Sequence, residues 1–398
     1  MARPGAFAVL IFAGAALCIA TGSNTDAQAP APFPLQLEAE IPLGDVRGRI
    51  DHMAVDLLRQ RLFVSELGND TVAIVDLKER QVIRTIDGLS EPQGVGYLPS
   101  MQTLYVATGH DGSVRVFTGA NYVAGQQIDL GENADNIRVD AGAGEVFVGY
   151  GSGALAVIDA RSFRRTANIQ LGAHPESFQV WGNQIYINLP GTPEIAVVDR
   201  QSLKQIARWP IDTAGGNFPM AIDGAARRVL TAFRNPAMLG VFSMKDGSVT
   251  TGPEICADAD DLFVDTKRKR VYASCGDGYL DVLAGNPYQR IGHIPTVSGA
   301  RTSLFVPELD RLVLAVRATS GEPAGVSIFR PAPPECSLME FVHDCIHWTP
   351  KAEIDYASHT SARESTNTYC VYLHCGVTPD TRANSCGDSS GGHGSLLR

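Results

Sequence analysis

The sequence predicts an all-β fold, and three observations carry that prediction. A short apolar strand recurs seven times at intervals of 41 or 42 residues, opening at Asp51, Gln93, Asp135, Glu176, Phe218, Asp260 and Arg301. A fixed period of this length marks a stack of equivalent supersecondary units. Helix signals are nearly absent. The 40 glycines and 23 prolines are spread among short β-branched and aromatic runs, which is the pattern of many strands joined by tight turns. With 398 residues, 44% of them apolar, the chain can bury one large core or two ordinary ones.

The N-terminus carries Arg3, an apolar stretch from Ala6 to Ala20, and small or polar residues through Ala29. Residues 1–29 read as a secretory signal peptide, too short to span a bilayer comfortably. Leu17 is too large for lipoprotein processing at Cys18. No later segment is apolar for long enough to cross a membrane, so the mature chain is expected to be periplasmic or secreted, and monomeric. The net charge of −10 and the absence of a basic run argue against nucleic acid as a partner.

Next, residues 35–41 (Leu-Gln-Leu-Glu-Ala-Glu-Ile) alternate like a strand. The first repeat then shows the grammar of a four-stranded antiparallel meander: Met53 to Asp56, Arg61 to Glu66, Thr71 to Asp76 and Gln81 to Ile86. Gly68-Asn69-Asp70 joins its second and third strands, as Gly109-His110-Asp111-Gly112 and Gly151-Ser152-Gly153 do in the next two repeats, supplying the positive φ that tight hairpins need. Second strands recur at Leu104, Val146, Ile185, Val229, Val271 and Leu312, and third strands at Val114, Leu155, Ile195, Leu239, Tyr279 and Val326. A four-stranded sheet with two apolar faces needs a neighbour on each side, and radial stacking supplies both. The architecture expected over residues 35–332 is therefore a seven-bladed β-propeller. The seventh repeat stops near Pro331 after three strands, so the segment Leu35 to Ile41 is expected to complete that blade and close the ring.

The tetrads Tyr105-Val106-Ala107-Thr108 and Phe63-Val64-Ser65-Glu66, followed by strands such as Val72 to Asp76, resemble the YVTN-repeat β-propeller family over residues 35–332. The tetrad degrades in repeats five and seven, and the turn of repeat four is two residues short. The resemblance implies seven blades and an exported location, and it leaves the activity open.

Residues of equal repeat phase sit at equal height around a propeller's channel, so the register maps one rim. The first ring holds Asp51, Gln93, Asp135, Glu176, Phe218, Asp260 and Arg301. The next holds His52, Gly94, Asn136, Ser177, Pro219, Asp261 and Thr302, and His174 and Asp258 lie two residues before the first. Convergent polar groups in a concavity predict a site for a small polar or cationic ligand or a protein partner. A divalent cation is one candidate occupant, because clustered carboxylates repel unless countered and Arg301 is the single cation in the ring. Solvated rim polarity accounts for the same residues without a ligand. His52 and His174 are candidate general bases beside Asp51 and Glu176. This keeps an enzyme, such as a metal-assisted hydrolase or a quinoprotein-like dehydrogenase, as the alternative to a binding protein, although no motif attaches a redox cofactor. A structural or adhesive module is the third reading, and it would place apolar patches on the blade edges. The segment Gly149 to Ala154 fits a dinucleotide pattern but leads into a strand where a helix is required.

Of the eight cysteines, Cys256 and Cys275 fall at the same rim of repeat six. An exported chain allows them to pair, which would tie down the loop bearing Asp258, Asp260 and Asp261. Five cysteines follow residue 335 in a tail, residues 333–398, that lacks the repeat and is expected to be disordered.

Overall fold

The computed structural model describes residues 33–212 and 214–333. Residues 1–29, expected to be a signal peptide, and nearly all of the cysteine-rich tail lie outside the described residues. Seven four-stranded antiparallel sheets form seven blades. Blade one consists of Met53–Asp56, Arg61–Glu66, Thr71–Asp76 and Gln81–Ile86, the bounds expected from turn chemistry. The innermost strands of blades two to seven are Pro92–Leu98, Ala134–Asp140, Phe178–Trp181, Gly215–Asp223, Ala259–Asp265 and Ser303–Val306. Among the described residues no helix is long and apolar enough to cross a membrane.

The core is divided into seven apolar layers, each between two neighbouring blades. Phe63, Val72 and Ile74 of blade one pack on Val95, Leu104 and Val106 of blade two. Leu62, Val64 and Val75 of the same blade face Val313, Ala315 and Val326 of blade seven. Side chains alternate across a strand, so a run such as Leu62-Phe63-Val64 is apolar throughout because both of its faces are covered. Each such side chain contributes about 1.5–3 kcal/mol through burial.

The ring closes as expected. Leu35–Gly44 is the outermost strand of blade seven, paired antiparallel with Ala324–Pro331. Leu35 and Ile41 are buried in two different layers, so the N-terminal strand is stitched to both neighbours of its blade. The register shifts between Leu37 and Ala39, and the residue between them, Glu38, ion-pairs with Arg311 and Arg330. Burial raises the Glu38 pKa, but the two arginines outweigh it and hold it below its usual value.

Cys256 and Cys275 form a disulfide with Cα atoms 5.7 Å apart. At the same rim, the innermost strands of blades two, three, five and six carry register shifts at Pro92/Val95, Ala134/Ile137, Asn217/Met220 and Ala259/Asp261. These bulges bend the strand ends and decide which side chains reach the channel.

Candidate functional site

The first ring does not project uniformly into the channel. Asp51 and Asp135 are only 1% and 8% exposed, and Gln93 is also buried, its amide donating to Asn133 Oδ1 at 3.0 Å. Glu176, Phe218, Asp260 and Arg301 are half-buried at the mouth. From the second ring, His52, Ser177 and Asp261 line the top of the channel, while Asn136 is tied to the Glu176 carbonyl at 2.6 Å. The mouth is thus lined by residues of both rings, with Asp51, Gln93 and Asp135 of the first ring buried and His52, Ser177 and Asp261 of the second reaching the channel.

Arg301 is not the lone cation of the mouth. Its Nη1 binds both carboxylate oxygens of Asp258 at 2.8 and 2.7 Å, and its Nε lies 3.2 Å from Asp260. Arg234, from the second strand of blade five, reaches Asp260 at 2.5 Å and Asp258 at 3.2 Å, with its guanidinium 3.8 Å from the centre of the Phe218 ring. Arg49 pairs with Asp51 at 2.8 Å. Arg317 shares the field of Arg301, Arg49, Asp260 and Asp51, and burial followed by the neighbouring arginines holds its pKa below the usual value. The sequence reading passed over Arg49, Arg138, Arg234 and Arg317. One signal was available: Arg234 and Arg317 occupy the same repeat phase, five residues after Val229 and Leu312, where repeats two, three and six have Gly109, Gly151 and Gly276.

The counter-charges are unevenly distributed. Arginines ion-pair with Asp51, Asp258 and Asp260, whereas Asp135 of blade three pairs only with imidazoles and Glu176 of blade four feels His174 and Arg234 only at longer range. His52 Nε2 is 3.9 Å from one oxygen of Asp135, and His174 Nε2 is 3.7 Å from the other. His174 Nδ1 donates to the Gly151 carbonyl at 2.5 Å, so its Nε2 can face Asp135 favourably only when it too carries a proton. Burial opposes that charge, but Asp135, the Gly151 carbonyl and Glu176 outweigh it and raise the His174 pKa. For His52, too, burial works downward, and Asp51, Asp261 and Asp135 more than offset it. Burial, reinforced by Asp135, pushes Glu176 above the usual carboxylate value. Asp51 is also raised, by burial first, with His52 and Arg49 pulling the other way.

Asp135 Oδ1 is buried without a hydrogen bond, and the Glu176 carboxylate has neither hydrogen bond nor ion pair among the described residues. Among the described residues, the one set of three metal-ligand atoms converging within 4.8 Å is Cys256, Cys275 and Asp277, and its two sulfurs are joined to each other. The rim carboxylates are therefore spread around the mouth instead of gathered into a ready-made cation cage. On the blade edges, exposed Ile83, Val123, Ile206, Val249 and Ile291 fall one to an outer strand, whereas at the edge of blade seven exposed Phe33 and Leu37 border one apolar groove with Leu35, Ile294 and Phe329.

No family model and no curated protein matches the chain. It is similar to a solved chain of hydrazine synthase from Kuenenia stuttgartiensis at a TM-score of 0.64 and 15% identity, covering 78% of this chain and 99% of that one. A chain in a crystal structure of the mitotic checkpoint complex is similar at a TM-score of 0.64 and 14% identity, covering 81% of this chain and 98% of that one. At these identities the likeness establishes the propeller fold alone.

Proposed function

We propose that this chain is an exported propeller of the YVTN-repeat type that binds a small polar ligand bearing a protonated amine at the channel mouth, between Asp135 and Glu176. One observation carries the reading: these two carboxylates have no arginine within ion-pair distance among the described residues, while Asp51 and Asp260, the other carboxylates of the first ring, each have one. A buried carboxylate oxygen without a hydrogen bond is costly, and an ammonium group offers three donors and the missing charge. Arg317, which makes no hydrogen bond or ion pair among the described residues, follows the second strand of blade seven, roughly opposite blade four. It would accommodate an acidic or carbonyl group at the far end of the same ligand. Export is supported by the disulfide, which oxidising compartments favour.

The test is a thermal-shift panel on the full chain, comparing diamines and amino acids with their alcohol counterparts and with divalent cations. Amines should raise the melting temperature, alcohols should not, and Glu176→Gln should remove the response. Stabilisation by divalent ions alone would replace the amine with a metal, and no response to any compound would leave the mouth a solvated rim.

A further inference from the structure

Below the mouth the channel holds a cavity of about 360 Å³ lined by the innermost strands of all seven blades. That volume lies at the small end of ligand pockets. Its walls are mainly apolar, with Val55, Val95, Val139, Phe263 and Leu304 among them, and Arg138 stands in the wall as its one guanidinium, with His52 above it. Only Nη1 of Arg138 is hydrogen-bonded to protein, to the Ile137 carbonyl at 2.8 Å and to Asn136 Oδ1 at 3.2 Å. Its Nε and Nη2 have no partner among the described residues, and no carboxylate lies within ion-pair distance. The guanidinium also lies 5.4 Å from the centre of the Phe178 ring, which helps fix its direction.

A guanidinium held inside protein without a counter-ion is costly. Arg49, Arg234 and Arg301 at the mouth are each held by carboxylates, whereas Arg138 has two free donor groups and an apolar vestibule. We propose that the channel is a binding site for a small organic carboxylate with an apolar body, its carboxylate held in a forked hydrogen bond by Arg138. A carboxylate matches the planar fork of a guanidinium. A phosphate dianion fits less well, because one arginine cannot balance it and Asp261 stands in the same wall. The site is distinct from the amine site, since neither Asp135 nor Glu176 lines this cavity, although the charge of Asp135 reaches Arg138.

The groups whose charge reaches Arg138 are Asp261, Asp135 and His52, with Asp51 and Asp260 behind them. Asp261 accepts a hydrogen bond from the Ser303 amide at 2.7 Å, and burial pushes its pKa up to about 7. A carboxylate ligand stays ionised throughout the range in which Asp261 titrates. It binds best when Asp261 is protonated, so affinity should fall as pH rises through about 7. Amine binding at the mouth should show the opposite trend.

Calorimetric titration of the full chain with hexanoate and benzoate, each against its amide, tests the proposal. The acids should bind at least about tenfold more tightly than the amides, and more tightly at about pH 6 than at about pH 8. Arg138→Gln should abolish the difference between acid and amide, Arg138→Lys should retain it in weakened form, and Glu176→Gln should leave it intact. If Arg138→Gln does not fold, the acid and amide comparison in the parent and in Arg138→Lys decides. Equal binding of acid and amide, no binding of the acids, or unchanged acid binding in a folded Arg138→Gln protein would overturn the assignment.

Discussion

Arg301 on blade seven clasps both carboxylate oxygens of Asp258 on blade six, at 2.8 and 2.7 Å. Asp258 sits two residues after Cys256 with its backbone in the left-handed region at φ 58°, so the clasp depends on a loop that the Cys256–Cys275 disulfide pins. Those cysteines are 19 residues apart, and closing a loop of that size contributes about 3 kcal/mol in the chain-entropy view. The double variant Cys256→Ser/Cys275→Ser should therefore lower the unfolding free energy by about that amount in denaturant titration. An unchanged midpoint would show that the loop is held without the bridge.

The seam of the ring makes a second prediction. Ile41 is fully buried between blades seven and one, and truncating such a side chain costs about 2–5 kcal/mol. Ile41→Ala should fall in that range, and deletion of residues 35–41 should abolish cooperative unfolding, because it exposes the edge of Ala324–Pro331. Removal of residues 335–398 should leave the melting temperature unchanged. A seam deletion that melts like the parent would contradict the role given to this strand.

Gly94 supplies a third prediction, at the mouth itself. A Cβ placed there would stand 2.1 Å from the Asp135 carbonyl oxygen, so blade two can approach blade three this closely only with glycine. Gly94→Ala should destabilise the protein by about 1–3 kcal/mol, as overpacking does, and should displace Asp135. Gly321→Ala, with open space around its Cβ, is the control and should be silent in thermal unfolding.

The fold was legible in the sequence because blade geometry repeats. Turn residues such as Gly68-Asn69-Asp70 bound the strands of blade one correctly, and the missing fourth strand of repeat seven pointed to Leu35 to Ile41. The site was legible in part. Asp51, Asp135, Glu176, Asp260 and Arg301 do gather at one rim, yet strand phase alone hides the bulges, such as the one between Ala134 and Ile137, that turn Asp135 inward. Arg234 and Arg317 enter from second strands, and Arg138 lies deeper on the innermost one. Their roles depend on how far a side chain reaches across blades, which one repeat's register does not encode.

Stability should fall as pH rises across neutrality. The Asp261 pKa of about 7 in the fold, against the ordinary 3.8, means that between those values the unfolded chain sheds a proton that the folded chain keeps. His52 and His174 are held above 6.5, so the stability they add is complete below that value and is lost as pH rises through their folded pKa values. Both effects have the same sign. The melting temperature should therefore decline from about pH 5 to about pH 8, and Asp261→Asn should flatten the decline. A parent protein whose stability rises over this window, or a variant with the same slope, would contradict the burial assigned to Asp261.

The most direct test of the mouth as a binding site is calorimetric titration of the full chain with putrescine at about pH 8, because the raised pKa of Glu176 makes its ionised form more populated toward higher pH. The account predicts saturable binding that weakens at least about tenfold in Glu176→Gln. It also predicts weaker binding as pH falls, because Glu176 takes up a proton and His174 becomes the competing cation. Absence of binding, or equal binding by Glu176→Gln, would contradict it.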